Sequence, residues 1–284
     1  SILPSGDAQQ EIQSGERFAF GANWAAFLSV VNEKRIEAAQ SALTQILGTS
    51  SLAGQRFLDI GSGSGLSSLA ALRLGATVVS FDYDSQSVAC TNELRRRYAT
   101  DSPRWTVLQG SVLDSDFLES LGQFDVVYSW GVLHHTGQMW NAIDMASQRV
   151  ACGGQFLIAI YNDQGAISRF WTIVKKIYCS GQPGRWLMLA LFLPYFALRQ
   201  VARMVLTGSL SFSGSVRGMS VYYDWIDWLG GYPFEVAKVE ELLHFCHPRG
   251  FTLENLTTTN RLGCNELVFR KNSVIAPLES GTHR

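Results

Sequence analysis

Between Gln164 and Tyr223 the sequence has no aspartate and no glutamate, although acids number 24 against 23 basic residues over the whole chain of 284. Seven positive residues fall in that stretch: Arg169, Lys175, Lys176, Arg185, Arg199, Arg203 and Arg217. A net charge of −1 therefore hides a segregated one, with a local positive field expected over one region of an otherwise acidic molecule. The neutral average gives no basis for nucleic-acid binding. Cysteine is sparse: Cys90, Cys152, Cys179, Cys246 and Cys264 are scattered and never spaced CxxC, which argues for free thiols and against a disulfide scaffold or zinc site. No run reaches the roughly 18–20 apolar residues needed to span a bilayer. The N-terminal "SILPSGDAQQEIQSGERF" lacks the apolar segment of a secretory signal, so the expected setting is cytoplasmic. Also missing are [DN]-P-P-[YFW], Pro-Cys, HExxH and GxSxG.

What is present is a regular alternation. Hydrophobic residues make up 46% of the chain and charged residues 17%, the composition of a folded globule. Helical apolar spacing runs from about Asn23 to Leu47 and stops at Gly48. Short apolar strands follow at 56–60, 77–81, 105–110, 124–130 and 154–161, separated by helical runs near 66–75, 85–99, 115–121 and 138–150. This predicts an α/β fold around a doubly wound, mostly parallel sheet, with ligands beyond the carboxyl ends of its strands. Two more strands, at 251–259 and 265–271, close a seven-stranded sheet as an antiparallel pair. The expected organisation is an N-terminal helical cap (1–50), a core (51–161 and 251–272), a helical insertion or lid after strand five (162–250), and a tail (273–284).

"LDIGSGSGLSS" follows the first strand and opens a helix. Its glycines allow a tight turn and close backbone approach, and the helix N-terminus favours polar or anionic groups. The dinucleotide pattern GxGxxG fails, because Leu66 stands where the third glycine belongs. The spacing is instead GxGxG (Gly61, Gly63, Gly65), preceded by Asp59. An acid about 20 residues on, at the end of the next strand, suits ribose hydroxyls; Asp82 stands there.

On these motifs, over about 55–160 plus the closing strands, the sequence resembles the class I S-adenosylmethionine-dependent methyltransferases, and within them the ubiquinone-biosynthesis-type O-methyltransferases. The resemblance implies S-adenosylmethionine as cofactor and S-adenosylhomocysteine as product. Asp59, Gly61, Ser62 and Gly63 would cradle the methionine end, Asp82 with Tyr83 the ribose, and Ser111 with Val112 the adenine, with Trp130 beside them. "FxFGxNW", which includes Trp24, is similar to an N-terminal segment that caps the cofactor in some relatives.

"YSWGVLHHT" places His134 and His135, two of only five histidines, after strand four and near the donor methyl. Either could remove a proton from a hydroxyl acceptor, since a neutral imidazole with pKa near 6.5 suits that task. Packing that shapes the loop is the equal alternative. A metal is the weaker one, and none is expected: where ubiquinone-type relatives resemble E-x-x-E-H, this chain has Gly131, His134 and His135, without the carboxylates. His135 matches the recurrent histidine of that group. For the acceptor, Tyr161 and Asn162 directly follow strand five, and Arg169 could grip an acidic group. Tyr222, Tyr223 and Trp225 form an aromatic set, and Asn265 and Glu266 open the last strand. "WLMLALFLPYFALRQVARMVL" (186–206) contains Pro194 and admits three readings: a packed lid over the acceptor, a patch seated peripherally on an anionic membrane, or an oligomer interface.

The function expected is O-methylation of a hydroxyl on a small or lipid-like molecule. Carboxyl methylation, which needs no base, and a non-catalytic cofactor-binding scaffold are the alternatives.

Overall fold

The computed structural model describes residues 7–14, 17–18, 28, 31–100, 102–207 and 221–272. Five parallel strands, β1 (Arg56–Ile60), β2 (Thr77–Asp82), β3 (Trp105–Gln109), β4 (Phe124–Trp130) and β5 (Val150–Tyr161), join β6 (Phe251–Thr257) and β7 (Cys264–Lys271) in the order β3-β2-β1-β4-β5-β7-β6. The strand β7 is antiparallel to both its neighbours and lies between β5 and β6. The switch in strand order at β1/β4 opens a crevice at their carboxyl ends, where open α/β sheets bind ligands.

Helices cover both faces. On one lie α2 (Glu33–Leu47), α3 (Leu66–Arg73) and α4 (Ser85–Tyr98); a short helix α1 (Asp7–Ser14) precedes them. On the other lie α5 (Ser115–Leu121) and α6 (Met139–Gln148). Of the helical run expected from about Asn23, the part before Val31 lies outside the described residues except for Leu28, which is helical, and a new helix, α2, starts at Glu33. Asn32 has extended backbone and its side chain accepts from Arg35 N at 3.1 Å, which makes it an N-cap and fixes the start at Glu33. The helix ends at Gly48 in left-handed conformation, as the sequence indicated. Strands and helices meet in two apolar layers, one around Phe57, Leu69 and Leu157, the other around Leu58, Phe156 and Phe269. Full burial of each such side chain contributes roughly 1.5–3 kcal/mol.

After β5 come α7 (Ala166–Cys179), α8 (Gln182–Thr207) and α9 (Val221–Gly230), then α10 (Val239–Cys246). The first three build a small core of their own from Trp171, Phe196, Ile226 and Leu229, joined by Phe234 from the loop after α9. Leu242 and Cys246 of α10 instead join the main core beside Leu267 and Phe269, so this helix continues the sheet's cover. Lys175 departs from the expected field of exposed cations: it is 1% exposed. Its ammonium donates to the Trp228 carbonyl and lies 4.4 Å from the Trp228 ring centroid, which ties α7 to α9.

Candidate active site

The turn after β1 forms because its glycines can hold positive φ: +76° at Gly61, +54° at Gly63 and +80° at Gly65. At Gly61 a second reason applies, since a Cβ there would lie 2.5 Å from the Val132 methyls. Ser68 Oγ donates to Asp59 Oδ2 at 2.5 Å. Asp82 Oδ2 accepts from Gly63 N at 2.9 Å, and its Oδ1 accepts from Asp84 N at 3.0 Å, so one carboxylate braces both strand-end turns. Burial pushes the carboxyl of Asp59 up to about 7, with Ser68 opposing and the Asp82 charge adding. Burial likewise raises Asp82 to about 6. Among the described residues neither forms an ion pair.

Both acids line a cavity of about 980 Å³, at the upper end of the range for ligand sites. An N-terminal strap closes one side of it. Arg17 lies over the Tyr83 ring at 4.8 Å, pairs with Glu11 at 2.8 Å and donates to the His135 carbonyl at 3.3 Å. Tyr83 donates to the same Glu11 at 3.0 Å. Next to it, Phe18 N donates to Tyr232 O at 3.0 Å, and the Phe18 ring sits where a Cβ on Gly230 would be, 2.1 Å from that position. The strap thus spans from the turn after β2 to the helices after β5.

The two histidines occupy a 3-10 turn, Leu133–His135, and their rings meet edge to face. His135 lines the cavity, and its Nδ1 is 2.5 Å from the Pro233 carbonyl. His134 is fully buried behind it, with ring centroids 4.4 Å from those of both His135 and Tyr161.

Residues 58–156 match the family model described as "Methyltransferase domain". Solved structures share the fold across most of the chain. A magnesium protoporphyrin IX methyltransferase from Synechocystis PCC 6803 with bound SAH is 14% identical at a TM-score of 0.51, covering 85% of this chain and 89% of that one. An O-methyltransferase family protein from Burkholderia thailandensis (13%, TM-score 0.53) covers 84% of this chain, which spans 57% of it. A putative methyltransferase from Bacillus halodurans C-125 (14%, TM-score 0.50) covers 82% of this chain and is itself covered completely. No curated protein matches by sequence.

Residues 58–156 of the chain are thus a methyltransferase domain. Such a domain takes S-adenosylmethionine, and the donor set of this methyltransferase fits it. The cofactor bears a sulfonium and an α-ammonium, and the cavity offers the buried carboxylate of Asp59 and the half-buried one of Asp82, neither in a salt bridge among the described residues, although the Arg17 charge acts on Asp82.

The cavity wall gathers Asp59, Gly61, Ser62, Gly63, Asp82, Tyr83, Ser111, Val112, Trp130, His135 and Tyr161. Some of these side chains are already engaged. Ser62 Oγ is paired with Thr91 at 2.9 Å, so only its backbone faces the ligand. Ser111 Oγ accepts from Leu113 N at 3.1 Å. Other expected residues lie elsewhere. Asn162 and Asn265 bond each other at 3.2 Å and hold Thr259 between them, forming a buried brace rather than a wall. Arg169 is exposed on α7, and Trp225 packs on Phe196 at 5.7 Å. Trp24 lies outside the described residues, as do the side chains of Tyr222 and Tyr223. Reading the sequence missed Arg17 and the part of α2 that faces the cavity, Ala39 to Ile46. The small residues Ala39 and Ala42 on one side of that helix were the available signal.

Proposed function

We propose that this methyltransferase acts on a hydroxyl oxygen of a small or lipid-like molecule, with His135 as the base. The observation behind this reading is the tautomer imposed on that histidine. The Pro233 carbonyl can only accept, so Nδ1 keeps its proton and Nε2 is the basic nitrogen of a ring set in the cavity wall. When bound, S-adenosylmethionine supplies an electrophilic methyl group. The protein orients the hydroxyl, excludes water with the Tyr161 and Trp228 rings, and takes the proton at Nε2. His134, packed against both His135 and Tyr161, holds the imidazole plane. Carboxyl methylation would call for a cationic clamp. Arg169 is exposed and does not line the cavity, and Arg17 is committed to Glu11 and the His135 carbonyl. The test is transfer of labelled methyl from S-adenosylmethionine into a host extract split into organic-soluble and aqueous fractions. Label is expected in the organic fraction; label confined to anionic aqueous metabolites would refute the reading.

The same proposal extends to where the enzyme works. No helix among the described residues is long and apolar enough to cross a membrane. Helices α7 and α8 nevertheless present Ile167, Phe170, Ile173, Leu191, Tyr195 and Leu198 to solvent, the last of them 71% exposed. Arg169, Lys176, Arg185 and Arg199 are exposed on the same two helices, with no acid between them. An apolar face edged only by cations suits an anionic bilayer surface. Co-flotation is expected with phosphatidylcholine vesicles containing phosphatidylserine. It should fall with added salt, weaken on pure phosphatidylcholine, and vanish in the double variant Leu191→Glu, Leu198→Glu. Flotation indifferent to these substitutions would refute the contact.

A further inference from the structure

The cavity is larger than its cofactor-binding rim. Away from the glycine turn it continues over the face of the sheet that α2 covers, between that helix and the β6–β7 hairpin. Here the wall is mostly apolar: Ala42, Leu43 and Ile46 of α2, Trp130 of β4, and Leu262 and Cys264 at the hairpin. The far end is pinned, because Asn255 donates to Ile46 O at 2.9 Å and Gln155 to Leu47 O at 3.1 Å, joining the end of α2 to β6 and β5.

One carboxylate stands in this lobe. The sheet register aligns Trp130 with Ala159 and Ala159 with Glu266 across β4, β5 and β7. The Trp130 indole N–H donates to Glu266 Oε1 at 2.8 Å. Glu266 is half-buried, lines the cavity and forms no ion pair among the described residues. Asn265, its neighbour along the strand, points to the other face and is spent in the asparagine brace.

We infer that this lobe is the acceptor subsite, and that Glu266 selects a neutral, hydroxyl-bearing apolar molecule over an anionic one. The inference rests on the hydroxyl-transfer reading for the reaction, but not for the binding. An apolar ligand closing over Glu266 strips water from its carboxylate. That cost is offset only if the ligand brings a hydrogen-bond donor to Oε2, the oxygen the indole leaves open. A ligand carboxylate would instead meet a like charge in an apolar wall. The aliphatic side of α2 and the Trp130 ring take the carbon skeleton.

Calorimetry of the S-adenosylhomocysteine-loaded enzyme with 4-hexylresorcinol and 4-hexylbenzoic acid tests this. Wild type should bind the diol at least about tenfold more tightly than the acid. Ala42→Trp, which fills the lobe from an exposed helix position, should weaken the diol at least about tenfold with affinity for S-adenosylhomocysteine unchanged. Glu266→Gln should remove the preference against the acid. Failure of wild type to bind the diol, equal diol binding in Ala42→Trp, or the same diol-to-acid ratio in Glu266→Gln would each overturn the inference. If the hydroxyl-transfer reading alone is wrong, the binding pattern persists while His135→Ala leaves methyl transfer intact.

Discussion

His135→Ala should lower the turnover of methyl transfer by about 10²–10⁴-fold while leaving cofactor affinity within a factor of about two. The asymmetry follows from the geometry. In the proposed mechanism His135 would offer Nε2 to the reacting hydroxyl, whereas the cofactor would be held by the turns after β1 and β2, which are braced by Asp82 and which the substitution does not touch. His134→Ala should act differently. That ring is fully buried between His135 and Tyr161, so its removal leaves a cavity. It should lower thermal stability and reduce turnover only through the misplaced His135 ring. Single-turnover rates, cofactor titration and melting curves on the two variants separate a base from its support. Equal turnover in His135→Ala and wild type would show that the acceptor needs no base from this residue.

Asp59→Asn should weaken binding of S-adenosylmethionine by about 10²-fold or more and at the same time stabilise the ligand-free protein at pH 8. Buried and without a cationic partner among the described residues, the Asp59 carboxyl holds its proton up to about pH 7 in the folded chain, against 3.8 for its ordinary value. The folded state therefore binds more protons than the unfolded state across that window, and stability falls as pH rises through it. Above pH 7 the ionised carboxylate is a standing cost in the empty protein, which the cofactor's positive groups offset when they arrive. Asparagine removes both the cost and the attraction. The ligand-free variant should melt at least about 4 °C above wild type at pH 8, with the gap narrowing toward pH 4. Cofactor affinity in wild type should decline as pH falls below 7, and that dependence should flatten in the variant. A variant that melts lower at pH 8 would contradict the account of Asp59.

The parts of the site legible in the sequence are those set by neighbours along the chain. A strand, a turn of glycines and a helix start must follow one another to make such a turn, so the gathering of Asp59, Gly61, Gly63 and Asp82 at one sheet edge was legible in spacing, while the cofactor roles expected of them came from the family resemblance. The seven-strand sheet was readable for the same reason: each strand is a short apolar run between helical ones. Contacts made across the fold left no such trace. Arg17 reaches His135 over 118 positions, and Trp130 reaches Glu266 over 136. Arg169 follows strand five closely in the sequence, yet the phase of α7 turns it to solvent, while Ser168 and Trp171 of that helix are buried. The tryptophans of α9 divide the same way: Trp228 reaches the cavity and Trp225 packs in the core of the helical insertion. Composition could not tell them apart, because helix phase and the position of the partner helix decide it.

The measurement closest to the central claim is the chemical fate of the transferred methyl group. Label passed from S-adenosylmethionine to the acceptor should be stable to mild alkali and released as methyl iodide by hydriodic acid under conditions that leave N-methyl groups intact, as a methyl ether requires. Release as methanol in alkali would mean an ester, and resistance to both treatments would mean a nitrogen or carbon acceptor; either result would contradict a hydroxyl deprotonated by His135.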